Sequence, residues 1–302
     1  MSHSNSKDKL FMALAMLIFG TLGPFINNIS FPSSFVSFTR ALIGSVFIGI
    51  FMAVSGHGFD GKAIVKNLKL LIPSGIAMAF NWICLFEAYR FTGVTVATLC
   101  YYMAPVIVVA VSPFILKERL TAVKGASVAA AVVGAVLISG VVTGATKSVK
   151  GIMLGLAAAA LYSTVIVINK FVRELSPVET TFVQLTVAAV TMIPYVLLTE
   201  DVTNFSFDTK SIIFTLIVGM FHTGFAYMIY FSSVQKIPAQ TTAVFSYIDP
   251  VTAIVVSAVV LGERLDAVQI IGTVLILAAT LFNELAPMLK EKLRKGCVRI
   301  VR

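Results

Sequence analysis

The sequence predicts an all-α integral membrane protein in which ten transmembrane helices form two inverted five-helix repeats. Three observations carry that prediction. The 302 residues are 58% hydrophobic and 12% charged, against roughly 45–50% and about 25% in soluble domains, so the apolar surface has to be solvated by lipid. Ten apolar runs each approach the roughly 20 residues that cross about 30 Å of hydrocarbon. Residues 102–123 and 247–268 align without a gap at an offset of 145, with 11 of 22 positions identical.

The spans read, in order, as 9–29, 35–55, 69–91, 94–116, 121–142, 151–171, 178–199, 211–235, 238–261 and 267–288. Helices are the consistent reading, because an open sheet edge in lipid leaves backbone groups unpaired and no period-two alternation is present. The first run follows Lys7 and Lys9, as in a secretory signal. It continues through Asn27 without a small-residue cleavage site, so it reads as a retained span. Segments 56–68 and 200–210 are the longest connections. Segment 143–150, polar and glycine-containing, is the natural joint, giving repeats 1–143 and 144–302.

Five spans per repeat is an odd number, so the second copy enters the membrane from the opposite side and the pseudo-two-fold axis lies in the membrane plane. With the N-terminus inside, 17 of the 23 Lys and Arg fall on inner segments. That asymmetry places both termini in the cytoplasm. It also accounts for a pI of about 9.5 without a nucleic-acid partner. The basic tail serves either as an orientation signal or as a contact to anionic headgroups.

Covalent chemistry finds no support. Lys147-Ser148 lacks the preceding glycine of a phosphate-binding loop. His3, His57 and His222 and Cys84, Cys100 and Cys297 are scattered without metal spacing. No catalytic residue, metal or cofactor is expected, and transport would be driven by a gradient or by exchange. Gly140-x3-Gly144 and Gly151-x3-Gly155 permit close helix contact.

The repeated segments read Tyr102-x2-Pro105-x10-Leu116-x-Glu118-Arg119-Leu120 and Tyr247-x-Asp249-Pro250-x10-Leu261-Gly262-Glu263-Arg264-Leu265. This pattern resembles the duplicated module of the EamA family in the drug/metabolite transporter superfamily, over nearly the whole chain. The resemblance implies a ten-helix carrier of small metabolites, often an amino-acid exporter, with a cavity lined mainly by helices 1, 3, 4, 6, 8 and 9. Two positions depart from the family pattern: Phe19-Gly20 replaces Trp-Gly, and Asp249 replaces a Glu before the proline.

The Glu-Arg-Leu copies fall at turns, where a carboxylate suits the exposed N–H groups of a helix start, and they read as architectural. Asp249 is different. It lies mid-span, where insertion costs about 2.5–3.5 kcal/mol, and its repeat mate is Ala104. It either binds a substrate amine or a proton, or it makes a structural hydrogen bond. Pro105 and Pro250 each remove a backbone donor at mid-membrane; they kink the helix, and they are candidate hinges for gating, as is Pro24. The 145-residue offset pairs Trp82 with Tyr227. With Tyr101, Tyr102 and Tyr247 these aromatics line a site or simply pack, and Asn81 needs a partner for its amide. His222 is either a neutral core group or a proton carrier.

Arg40 sits about 8 Å inside the outer end of the second span, at about 1.5 Å per residue. It snorkels outward, pairs with Glu87, or meets a substrate carboxylate. Glu87 and Arg90, three apart, can instead pair with each other. The expected function is secondary-active transport, directed outward, of amino acids or similar small polar metabolites by alternating access. Import or exchange of nucleotide-like metabolites or cationic amines is the alternative, and a passive channel is the rival class. The expected partners are a small-molecule substrate, the bilayer and a proton as candidate coupling ion, with the protein a monomer or homodimer.

Overall fold

A computed structural model describes residues 6–300 except 57, 118–120, 141, 143–147 and 235. Among the described residues there is no strand. The helices are α1 (Ser6–Gly20), α2 (Leu22–Asn27), α3 (Ser33–Val54), α4 (Gly61–Thr92), α5 (Val94–Tyr101), α6 (Ala104–Ile115) and α7 (Ala122–Ile138), followed by α8 (Val149–Asn169), α9 (Pro177–Thr199) and α10 (Thr209–Ile217). A π-helix over Val218–Phe225 joins α10 to α11 (Ala226–Val234), and α12 (Ala239–Ser246), α13 (Ile248–Val260) and α14 (Ala267–Ile300) complete the order. Seven helical stretches are long and apolar enough to cross a membrane, and three shorter apolar helices cover 122–138, 244–260 and 267–282.

The exposed surface confirms the solvent. Phe114 is 86% exposed, Leu198 84% and Val54 83%, an arrangement that lipid tolerates and water penalises. The third span is longer than expected: α4 starts at Gly61, where the Asp60 side chain accepts the Ala63 N–H. An N-cap placed that early turns half of the expected 56–68 loop into helix. At the other end, α14 continues through the basic tail to Ile300. The motif Glu118-Arg119-Leu120 and residues 143–147 of the expected joint lie outside the described residues.

Three apolar stretches are broken rather than smoothly helical. The first is interrupted at Thr21, three residues before Pro24; the second at Tyr102–Met103, before Pro105; the third at Tyr247, before Pro250. Each proline lacks the N–H that would close the preceding turn, and its ring crowds the carbonyl four residues back. Proline alone does not decide the matter, because α4 runs unbroken through Pro73 and α9 through Pro194.

α4 packs along α8 and α9, α3 along α9, α7 against α14, and α1 against α11 and α13. On α8, a Cβ at Gly151 would stand 2.8 Å from the Thr92 Cβ, and one at Gly155 would stand 2.8 Å from the Cys100 Cβ. Glycine at both positions therefore lets α8 approach the α4–α5 junction more closely than any side chain would permit.

Candidate functional site

The broken helices converge on a cavity of about 590 Å³, a size suited to a small metabolite. Of the residues expected at a site, Asn81, Trp82, Tyr101, Tyr102, Tyr227, Tyr247 and Asp249 all border it, as do Arg40 and Pro105. Pro24, Pro250 and His222 stand off the wall. The wall draws on the first, third, fourth, sixth, eighth and ninth apolar stretches. It also takes Arg40 from the second, Gln184 from the seventh and Thr280 from the tenth. Its lining includes Leu22, Gly23, Tyr89 and Thr98 as well as Val172 and Leu175, in the turn between α8 and α9.

Two charged side chains border the cavity among the described residues, one of each sign: Asp249 and Arg40. Asp249 lies in the first turn of α13, where the helix dipole favours a carboxylate. Its Oδ2 accepts the hydroxyl hydrogen of Tyr102 at 2.6 Å. That contact joins residues 147 apart: Tyr102 stands at the break between α5 and α6, before Pro105, and Asp249 in the first turn after the break at Tyr247, before Pro250.

Arg40 is 4% exposed. Its Nε donates to Thr223 Oγ1 at 2.8 Å, and its guanidinium carbon lies 4.2 Å from the Trp82 ring centroid and 5.8 Å from that of Phe86. Of the alternatives for Glu87, the local pair with Arg90 is the one formed, at 3.6 Å, and Arg90 also donates to the Phe31 carbonyl. Thr223 reaches Arg40 from the π-helix, whose wide turn is completed by the Thr223 hydroxyl donating to the Val218 carbonyl five residues back at 3.1 Å. Such π segments are concentrated at functional sites.

His222, next to Thr223, is 1% exposed. Its Nε2 lies 3.1 Å from Thr21 Oγ1 and its ring centroid 4.8 Å from that of Phe25. The imidazole therefore ties the π-helix to the break between α1 and α2 instead of facing the cavity with Arg40 and Asp249. Asn81 is likewise committed to the scaffold on its donor side, its Nδ2 giving a 2.6 Å hydrogen bond to the Ala158 carbonyl of α8.

Sequence reasoning missed two features of the wall. Tyr162 stacks on Tyr101 with centroids 5.2 Å apart; it has no aromatic repeat mate, so the pairing logic passed over it. Gln184 donates to Ser74 Oγ and to Asn169 Oδ1, both at 2.6 Å. An amide inside the apolar run 178–199 was the available signal, since a buried amide must find partners.

Residues 8–140 and 149–284 each match the EamA-like transporter family. An uncharacterized transporter of Bacillus subtilis, YxxF, is 30% identical over 271 residues, covering 88% of this chain and 86% of the relative. A protein of Salmonella typhimurium named a probable amino-acid metabolite efflux pump is 28% identical over 229 residues, covering 72% of this chain and 76% of its own length. A crystal structure at 19% identity superposes with a TM-score of 0.62, covering 92% of this chain and 96% of the other, and it speaks for the fold.

Proposed function

Because the chain belongs to the EamA-like transporter family, it is a multi-pass membrane transporter, and we propose that it is a secondary-active carrier exporting amino acids or similar small polar metabolites by alternating access. The observation that carries this reading is the cavity, bordered by one Asp and one Arg, with the Tyr102–Asp249 bond on its wall joining the two family-matched segments. A carrier needs a site that holds its solute, and the opposite charges of Asp249 and Arg40 on one cavity wall support that reading over a passive channel. The name of the Salmonella relative favours amino-acid metabolites as cargo and efflux as direction.

In this reading all ten apolar stretches cross the membrane, five in each matched segment, and the odd number inverts the second repeat relative to the first. The distribution of Lys and Arg puts both termini and the turn between α8 and α9 in the cytoplasm. Val172 and Leu175, in that turn, line the cavity, which supports reading the conformation as inward-facing. Asp249 is the site for a substrate ammonium or for the proton that replaces it on the return step.

Counterflow tests the reading. Purified protein in liposomes preloaded with a mixture of unlabelled L-amino acids should accumulate external labelled amino acid transiently above equilibrium. Flux that rises linearly with concentration and is indifferent to internal solute would identify a pore and overturn the carrier.

A further inference from the structure

Arg40 is an expensive residue for this position, and among the described residues it has no counter-ion. It is buried and borders the cavity. Among the described residues no carboxylate approaches it. Glu87 is engaged by Arg90, and Asp249 accepts from Tyr102. The phenols of Tyr227, Tyr101 and Tyr89 lie within its electrostatic reach, as does the His222 imidazole. A buried guanidinium that served only as mortar would be expected to carry a carboxylate partner, since an uncompensated charge in a low dielectric is strongly unfavourable.

The contacts that Arg40 does make are those of a group held in one orientation. Nε is fixed by Thr223 from the π-helix. The face of the guanidinium lies against Trp82, a cation–π contact that restrains the plane without using any N–H. What remains is the edge carrying the two terminal nitrogens, the fork that matches both oxygens of a carboxylate. Across the same cavity stands Asp249, and Tyr89 and Tyr227 lie within electrostatic reach of both charges.

We infer that Arg40 anchors a carboxylate of the transported solute, so that the cavity selects zwitterions, with the ammonium on Asp249 and Tyr102 and the carboxylate on Arg40. The inference rests on the carrier reading above and narrows its substrate class. It excludes amines without a carboxylate, which would leave Arg40 buried and uncompensated. It also excludes simple organic anions, which would leave Asp249 in the same condition. Side-chain size is left to the aromatic wall.

The test uses competition in liposome counterflow with matched triplets: L-leucine, L-leucinamide and isopentylamine, and L-phenylalanine, L-phenylalaninamide and phenethylamine. On the wild-type protein, the acid should compete about tenfold or more better than its amide or amine, the size expected for losing a charge-assisted hydrogen-bonded pair. Arg40→Gln should erase that preference while still exchanging the amide, and Arg40→Lys should retain part of it. Amides or amines that compete as well as the acids on the wild-type protein would overturn the role of Arg40 and leave the carrier intact, as would an Arg40→Gln protein that keeps the preference. Absence of trans-stimulated exchange with every member of both triplets and with the amino-acid mixture would remove the carrier reading itself. Should Arg40→Gln fail to fold, the wild-type ranking decides alone.

Discussion

The carboxylate of Glu263 caps a helix that begins 169 residues earlier: Oε1 accepts the Val94 N–H at 2.7 Å, and Oε2 accepts the Thr95 N–H at 2.8 Å. The Glu-Arg-Leu motif reads in the sequence as a local cap. In the structure it clamps the start of α5, in the first family-matched segment, to the α13–α14 turn of the second. Gly93 makes room for it, with φ at +84° and a hypothetical Cβ only 2.6 Å from Glu263 Oε1.

Loss of this clamp should cost stability. Glu263→Gln removes the charge facing the α5 dipole and one of two acceptors, worth about 1–2 kcal/mol. Gly93→Ala should cost more, because it adds both backbone strain and a clash with the carboxylate. Thermal unfolding of the purified variants should rank wild type above Glu263→Gln and Glu263→Gln above Gly93→Ala. A Gly93→Ala protein melting with wild type would show that the clamp contributes nothing.

Asp249→Asn keeps the shape and an acceptor for Tyr102 but cannot ionise. The variant should fold, and active transport should fall about tenfold or more, the scale of a lost charge-assisted contact. The response of rate to pH should flatten as well. Asp249→Glu, which keeps the carboxylate, should retain partial activity. Wild-type rates and an unchanged pH profile in the Asn variant would reduce Asp249 to a structural hydrogen-bonding group.

The hydroxyl of Tyr102 can be removed with its ring left in place. Tyr102→Phe deletes the donor to Asp249, so substrate affinity should drop severalfold while the melting temperature moves little, one hydrogen bond being worth about 1 kcal/mol. Trp82→Ala should behave differently. Trp82 is 4% exposed and carries the Arg40 guanidinium, so truncation should cost about 3–5 kcal/mol of stability. Equal melting temperatures for the two variants would contradict the packing described for Trp82.

Orientation is open to labelling. With Cys84, Cys100 and Cys297 replaced, Lys62→Cys should react only from the cytoplasmic side and Ser206→Cys only from the outside; both positions are exposed. Labelling of both from one side would contradict the five-helix inverted arrangement.

The aromatic set illustrates how far pairing at the 145-residue offset could reach. Trp82, Tyr227, Tyr102 and Tyr247 all border one cavity, and each was legible because the repeat marked it. Tyr162, with no mate, was not. His222 and Asn81 were legible as polar groups needing partners. Their partners, Thr21 and the Ala158 carbonyl, were not, because nothing in the local sequence records which helix will lie opposite.

The sequence by itself determined the properties that depend on solvent and on chain-local chemistry: apolar runs that require lipid, a duplicated motif, an Asp at mid-membrane and prolines able to break a turn. The tertiary structure alone decided which of those prolines coincide with a break, that α4 passes through Pro73 intact, and where the buried charges go. Arg40 meets Thr223 across 183 residues, and Asn169 and Ser74 converge on Gln184 from two other helices. Periodicity reports the face a helix buries. The cost of an unpaired polar group in a low dielectric is met by whatever three-dimensional packing brings within hydrogen-bond distance.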